Sequence, residues 1–152
     1  MAVCRPGRCH SSQQQYIYHF FLKTFEEIRE KFASIQFDET FDLVVAIANG
    51  GIIPATILNQ RLNIELQLLK INWRDPQQKP QYDTPQLLFP IDFDCKDKTI
   101  LLVEDRVKTG TTLEFAKKLL IREAKAVKTF AVNGPADYNL YNESCFKFPW
   151  LL

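Results

Sequence analysis

Histidine, glycine and methionine are scarce in this chain of 152 residues, which has two histidines, five glycines and one methionine, the first residue. His10 and His19 have no sequence partners that would build a nucleophile–base–acid triad, so neither takes a catalytic role. The four cysteines, Cys4, Cys9, Cys95 and Cys145, form no C-x-x-C pair. Cys4, Cys9 and His10 look like half of a metal site, but the second pair of Cys or His ligands is missing, which reads against structural zinc. No secretory pattern precedes them, so they read as reduced thiols and the expected compartment is the cytoplasm. Charge of one sign is also lacking. Nineteen Lys and Arg face 18 Asp and Glu, a formal net charge of +1. That removes the main physical reason to expect a duplex nucleic acid or an anionic membrane surface as partner. The longest apolar runs, Leu43–Ala48 and Ile100–Val103, are strand-sized and far too short to span a bilayer.

What is present is core material, with 46% hydrophobic and 24% charged residues, enough for one ordinary domain. Residues Met1–Gln15 are polar and without period, a loose leader to a domain over 16–152. Tyr16–Tyr18 is a short strand-like piece. Phe21, Phe25, Ile28, Phe32 and Ile35 recur at steps of four and three, the stripe of an amphipathic helix. Phe41–Ala48 is nearly all apolar, as a strand buried on both faces would be. A helix is expected over Pro54–Leu62, with Pro54 acceptable in its first turn. Strands are expected over Ile64–Ile71, Gln86–Phe89, Lys98–Val103 and Ala126–Val132, and a second clear helix over Thr111–Glu123. Asn72–Pro85 carries three prolines and no period, and a structureless loop of that length is functional or disordered. Tyr138–Trp150 reads as an aromatic-rich tail. Alternating strands and helices predict an α/β fold, a mainly parallel sheet flanked by helices on both faces. Ligands in such folds bind beyond the carboxyl ends of the strands, here after Ala48, Ile71, Val103 and Val132.

The segment after Val103 carries the chemistry. Glu104 and Asp105 are adjacent carboxylates at a strand end, costly unless solvated, hydrogen-bonded or paired with cations. Thr109, Gly110, Thr111 and Thr112 then offer hydroxyls and free amides at a helix N-terminus, which favours a phosphate. A solvated strand end with a threonine N-cap is the plainer reading, but strand, acidic pair and Thr/Gly cup occur together. An acidic pair beside a phosphate cup suits a sugar phosphate.

ILLVEDRVKTGTT, residues Ile100–Thr112, resembles the phosphoribosyl-pyrophosphate (PRPP) signature of the type I phosphoribosyltransferases. The stretch from Phe41 to Ile64 resembles that family's first strand, its pyrophosphate loop (here Ala48-Asn49-Gly50-Gly51) and the following helix. The ending Asp137–Trp150 is similar to the base-binding hood of the prokaryotic xanthine/hypoxanthine members. The resemblance spans Tyr16–Trp150. It implies a single-domain fold with a small C-terminal hood. It also implies magnesium-dependent transfer of ribose 5-phosphate from PRPP to a nucleobase, of the purine-salvage type, with release of pyrophosphate. Glu104 and Asp105 would hold the ribose hydroxyls, directly or through metal-bound water. Thr109, Gly110, Thr111 and Thr112 would hold the 5-phosphate, and Asn49, Gly50 and Gly51 would meet the pyrophosphate. Asn72–Pro85, beginning with Trp73 and Arg74, would be a mobile lid that excludes water. The partners implied are PRPP, a nucleobase and a nucleoside monophosphate, with the chain a homodimer or homotetramer.

Three departures from the 6-oxopurine branch fall around the base. Lys108 stands where an aspartate usually serves the purine's imidazole edge, and Asn133 stands where a lysine usually reads the exocyclic oxygen. Cys145, with Phe146 beside it, stands where an aromatic usually stacks on the base. Asn49 also replaces a basic residue found in many relatives. Lys108 joins Glu104 and Asp105 as a catalytic candidate, and Asn133, Cys145 and Phe146 are the base-binding candidates. These departures keep a second reading open, a non-catalytic relative that binds PRPP or a nucleotide. Phe148, Pro149 and Trp150 read as packing.

Overall fold

The computed structural model describes residues 22–75, 79–144 and 146–151. The chain folds as two compact units, Gln36–Asn142 and the described parts of Met1–Ile35 with Glu143–Leu152.

The larger unit is a six-stranded sheet with two helices. Its strands are β1 (Leu43–Ala48), β2 (Glu65–Asn72), β3 (Gln86–Leu87), β4 (Thr99–Arg106), β5 (Ala126–Asn133) and β6 (Tyr138–Tyr141), in the spatial order β3-β2-β1-β4-β5-β6. All neighbours run parallel except β3, which pairs antiparallel with β2 through Ile71 with Leu87 and Asn72 with Gln86. β1 and β4 occupy the middle, and Leu43–Ala46 and Ile100–Val103 are fully buried, which is why both read as continuous apolar runs. The helix after β1 spans Ile52–Leu62 and the helix after β4 spans Thr111–Leu120; with the helix of the smaller unit (Phe25–Ser34) taken as α1, they are α2 and α3. Leu113, Ala116 and Leu120 of α3 join one core cluster with Leu43, Val45, Ile47, Ile100 and Leu102. Ala55 and Leu58 of α2 are also fully buried but lie outside that cluster. The chain steps from β1 to β2 in one direction and from β4 to β5 in the other, so right-handed crossovers set the two helices on opposite faces.

In the smaller unit α1 opens with a capping box. The Thr24 hydroxyl accepts from the Glu27 N–H at 3.2 Å, and the Glu27 carboxylate accepts from the Thr24 N–H at 2.7 Å. Lys23 Nζ lies 3.2 Å from Glu143 Oε2, and the Phe148 and Trp150 rings stack at 4.8 Å.

The α/β class and parallel sheet are as the sequence predicts, with local differences. β4 runs on through Glu104, Asp105 and Arg106 because Glu104 and Arg106 keep pairing with Ala131 and Asn133 of β5. β6 lies within the expected aromatic tail. α3 ends at Leu120 rather than Glu123. In α1, Ile28 and Phe32 are buried, but Phe25 of the same stripe is 57% exposed. The expected leader, Tyr16–Tyr18, Phe21, His10, His19, Cys4 and Cys9 lie outside the described residues. No helix among the described residues is long and apolar enough to cross a membrane.

Candidate active site

Strand order reverses between β1 and β4, and in such sheets ligands bind beyond the carboxyl ends of the strands at that switch point. The loop leaving β1 reaches the carboxylates at the end of β4. A Cβ on Gly50 would lie 2.6 Å from Asp105 Oδ1 and 2.9 Å from Glu104 Oε1. The backbone of this loop therefore rests directly on the acidic pair, which only a glycine permits. Gly51 folds back over the strands; its N–H donates to the Ile47 carbonyl at 2.8 Å. The Ala48–Asn49 peptide is cis.

Glu104 and Asp105 are crowded. Burial pushes the Glu104 pKa well above the usual carboxylate range, and the neighbouring Asp105 charge adds to the effect. Burial also raises Asp105, against partial opposition from the Arg106 N–H and guanidinium. The Asp105 N–H donates to Glu104 Oε1 at 3.1 Å. Two hard oxygen donors whose charge the protein leaves under-compensated call for a cation or for ligand hydroxyls. No group of three or more His, Cys, Asp or Glu among the described residues could hold a metal ion. Magnesium asks for less, because it keeps several waters and takes one or two carboxylates together with substrate phosphates. The pair fits that ion.

The loop expected to take a phosphate is open. Gly110 precedes α3 with φ +80°, and a Cβ there would meet nothing within 4 Å. No side chain caps this helix, so first-turn amides remain for an anion. The Thr109 hydroxyl lies 3.0 Å from that of Thr111 and accepts a long 3.4 Å bond from the Thr111 N–H, one a phosphate oxygen can replace. Thr112 is half-buried and Lys108 exposed.

Of the base-binding candidates, Asn133 ends β5 beside the start of the phosphate loop, where its carbonyl accepts from the Val107 N–H at 2.9 Å. Phe146 belongs to the other unit, is buried, and meets Phe148 edge-on at 5.2 Å. Cys145 lies outside the described residues. The described residues of the Asn72–Pro85 stretch, 72–75 and 79–85, bond to one another rather than forming a structureless loop. The Gln81 N–H donates to the Trp73 carbonyl at 2.7 Å, the Asp75 N–H to the Lys79 carbonyl at 2.8 Å, and Trp73 Nε1 to the Tyr82 carbonyl at 3.2 Å. Its two described limbs pair as a hairpin.

Sequence reading missed two features. Arg106 stands inside β4 next to the acidic pair. Asp137 accepts from the Thr129 N–H at 2.8 Å and from its hydroxyl at 2.9 Å. Burial raises the pKa of Asp137, but the Thr129 hydrogen bonds with Lys117 and Lys128 outweigh it and hold the carboxyl below its usual range. The turn signal in Gly134-Pro135 was the available pointer.

A mainly parallel sheet whose strand order reverses between β1 and β4, with helices on both faces, defines a doubly wound α/β protein. More narrowly, residues 21–146 match the phosphoribosyl transferase domain, and the chain belongs to that family. It is 26% identical over 119 residues to a xanthine-guanine phosphoribosyltransferase of Idiomarina loihiensis, covering 74% of this chain and 72% of that one. A xanthine-guanine phosphoribosyltransferase of Cereibacter sphaeroides is 28% identical over 116 residues, with 70% and 67% covered. The crystal structure of a purine phosphoribosyltransferase from Pyrococcus horikoshii superposes with a TM-score of 0.72 at 25% identity, over 85% of this chain and 92% of that one. The family context is that of the purine phosphoribosyltransferases.

Proposed function

We propose that this chain transfers ribose 5-phosphate from PRPP to a purine nucleobase and releases pyrophosphate. The observation that carries the reading is the contact of the Gly50 backbone with Glu104 and Asp105, next to the open cup at Gly110. It supports a reading in which the loop after β1 meets the pyrophosphate, the carboxylates it touches take the ribose hydroxyls, and the amides that open α3 take the 5-phosphate. The names of the relatives support the purine class.

In this reading the amides and hydroxyls of Thr109–Thr112 anchor the 5-phosphate, and Asn49, Gly50 and Gly51 meet the pyrophosphate. Glu104 and Asp105 take the ribose hydroxyls and would hold magnesium, which when bound supplies charge neutralisation for the departing pyrophosphate. A base nitrogen bonds to the ribose C1 as the C1–oxygen bond breaks, the electron pair leaves with pyrophosphate, and the proton of that nitrogen is released to solvent. The Asn72–Pro85 segment is the lid over an oxocarbenium-like centre that water would otherwise capture. Asn133, Cys145 and Phe146 are the residues on which the choice of base rests. The working form is a cytoplasmic homodimer or homotetramer.

The test is pyrophosphate release with PRPP, magnesium and hypoxanthine, guanine or xanthine. Release that depends on one of these bases is expected. Silence with all three while PRPP still binds would replace the reading with a non-catalytic PRPP-binding relative.

A further inference from the structure

We propose that the four-residue connection Gly134–Asp137 positions the phosphate cup, with Asp137 as the positioning residue; the proposal rests on the functional reading above. The cup, Thr109–Thr112, is bounded by Val107 on one side and by the body of α3 on the other, and this one connection grips both sides.

On the first side, Gly134 has φ +125°, and a Cβ there would lie 2.2 Å from the Val107 carbonyl oxygen. The connection is thus pressed against the peptide that leads into Lys108. The Val107 N–H is held at the same point by the Asn133 carbonyl, 2.9 Å away, and the Gly134 N–H donates to the Tyr141 carbonyl of β6 at 3.0 Å. On the second side, Asp137 Oδ2 accepts from the N–H and the hydroxyl of Thr129. The Asp137 N–H returns a bond to the Thr129 hydroxyl at 2.9 Å. Lys117 Nζ of α3 lies 3.7 Å from that same Oδ2. Thr129 is buried on β5, so the three bonds fix Asp137 to the sheet, and Asp137 in turn faces the helix whose first turn is the cup.

An exposed ion pair such as Lys117–Asp137 is weak alone. Its significance is geometric: the same carboxylate fixed by Thr129 sets where α3 stands, while Gly134 sets where Val107 stands. The distance between the two edges of the cup is then governed by a segment that touches no ligand. Binding groups misplaced by as little as 1 Å lose much of their effect.

The test compares Asp137→Ala, Asp137→Asn and Thr129→Ser. PRPP affinity is read by calorimetry with magnesium, steady-state kinetics with the best base, and amide hydrogen exchange across Val107–Thr112. Asp137→Ala is expected to weaken PRPP binding about tenfold and to raise its KM with little change in kcat at saturating PRPP. Exchange at Val107–Thr112 should rise more than in β1. Thr129→Ser, which keeps the hydroxyl, should behave as wild type. A lower melting temperature with unchanged PRPP affinity and unchanged exchange at the cup would make the clamp purely structural and overturn the proposal. If Asp137→Ala does not fold, Asp137→Asn is read by the same criteria. If the wild type binds no PRPP, the functional reading fails separately, and exchange at Val107–Thr112 still decides: equal protection in wild type and Asp137→Asn overturns the positioning role.

Discussion

At Gly50 a methyl group would meet the tips of two side chains, whereas at Gly51 it would meet backbone, the Val103 and Ile47 carbonyl oxygens at 2.3 and 2.8 Å. Carboxylate tips can swing aside; strand backbone cannot. Gly50→Ala is therefore expected to fold with a stability loss of about 1 kcal/mol or less, while losing roughly tenfold or more in PRPP affinity as the acidic pair is displaced. Gly51→Ala is expected to cost about 1–3 kcal/mol or more in urea unfolding, through overpacking. Equal stability losses in the two variants would refute this division. Glu104 gives a pH-dependent counterpart. Its folded pKa lies above the ordinary glutamate value of 4.5, so its contribution to stability is fully present below that value and lost as pH rises through the folded pKa. The ligand-free protein should accordingly lose stability from about pH 4.5 upward. Glu104→Gln should flatten that slope and stabilise the ligand-free fold at neutral pH, while weakening PRPP binding. Thermal melts from pH 5 to 8 check the sign, and a steeper slope in the variant would contradict it. The acidic pair and the threonine cup were legible because their chemistry is contiguous in sequence. The pressure of Gly50 on that pair was not, because it joins residues far apart in the chain.

Elements were legible where burial and period agree. β1 and the Ile100–Val103 part of β4 are apolar throughout because sheet neighbours and helices cover them on both sides, and α3 shows its stripe because only one side is buried. β6 was hidden for a physical reason. Parallel neighbours ordinarily need a long crossover, yet β5 and β6 are joined by four residues, with Phe130 beside Tyr138 and Asn133 beside Tyr141. The Thr129–Asp137 bonds hold that short return in place. A bond between two ordinary polar residues eight positions apart leaves no periodic trace. Because the Asp137 pKa is lowered, its contribution is present above the ordinary carboxylate value and lost as pH falls through the lowered one, opposite in sign to Glu104. At the head of α3, Thr112→Val removes a hydroxyl without disturbing the helix packing of Leu113 and Ala116. PRPP binding should weaken by about 1–3 kcal/mol, the worth of a hydrogen bond to a charged group. Calorimetry showing full affinity in Thr112→Val would remove this residue from the phosphate site.

At the scale of the whole molecule, strand order was the most consequential feature that alternation alone did not specify, since it decides which loops meet. It also leaves one side of the sheet unfinished. β3 pairs with β2 only at Ile71 and Asn72, so among the described residues Glu65–Leu69 have no strand on their outer side. Next to that edge Leu68, Leu88 and Phe89 are 50%, 43% and 62% exposed. Leu66, Leu68, Phe89 and Pro90, with Lys70 and Asp92, line a groove of about 340 Å³. An unpaired edge beside exposed apolar side chains favours association, because covering it satisfies backbone groups and buries apolar surface together. A second copy of the chain is the expected cover, in keeping with the proposed homo-oligomer. Phe89 is the most exposed of these side chains, with Lys70 Nζ 5.6 Å from its ring centroid. Phe89→Glu should therefore leave the fold intact and shift the sedimentation coefficient from that of an oligomer to that of a monomer. Far-UV circular dichroism confirms the fold and sedimentation velocity reads the size. A wild type that sediments as a monomer at every concentration, or a Phe89→Glu variant that remains oligomeric, would move the contact away from this edge.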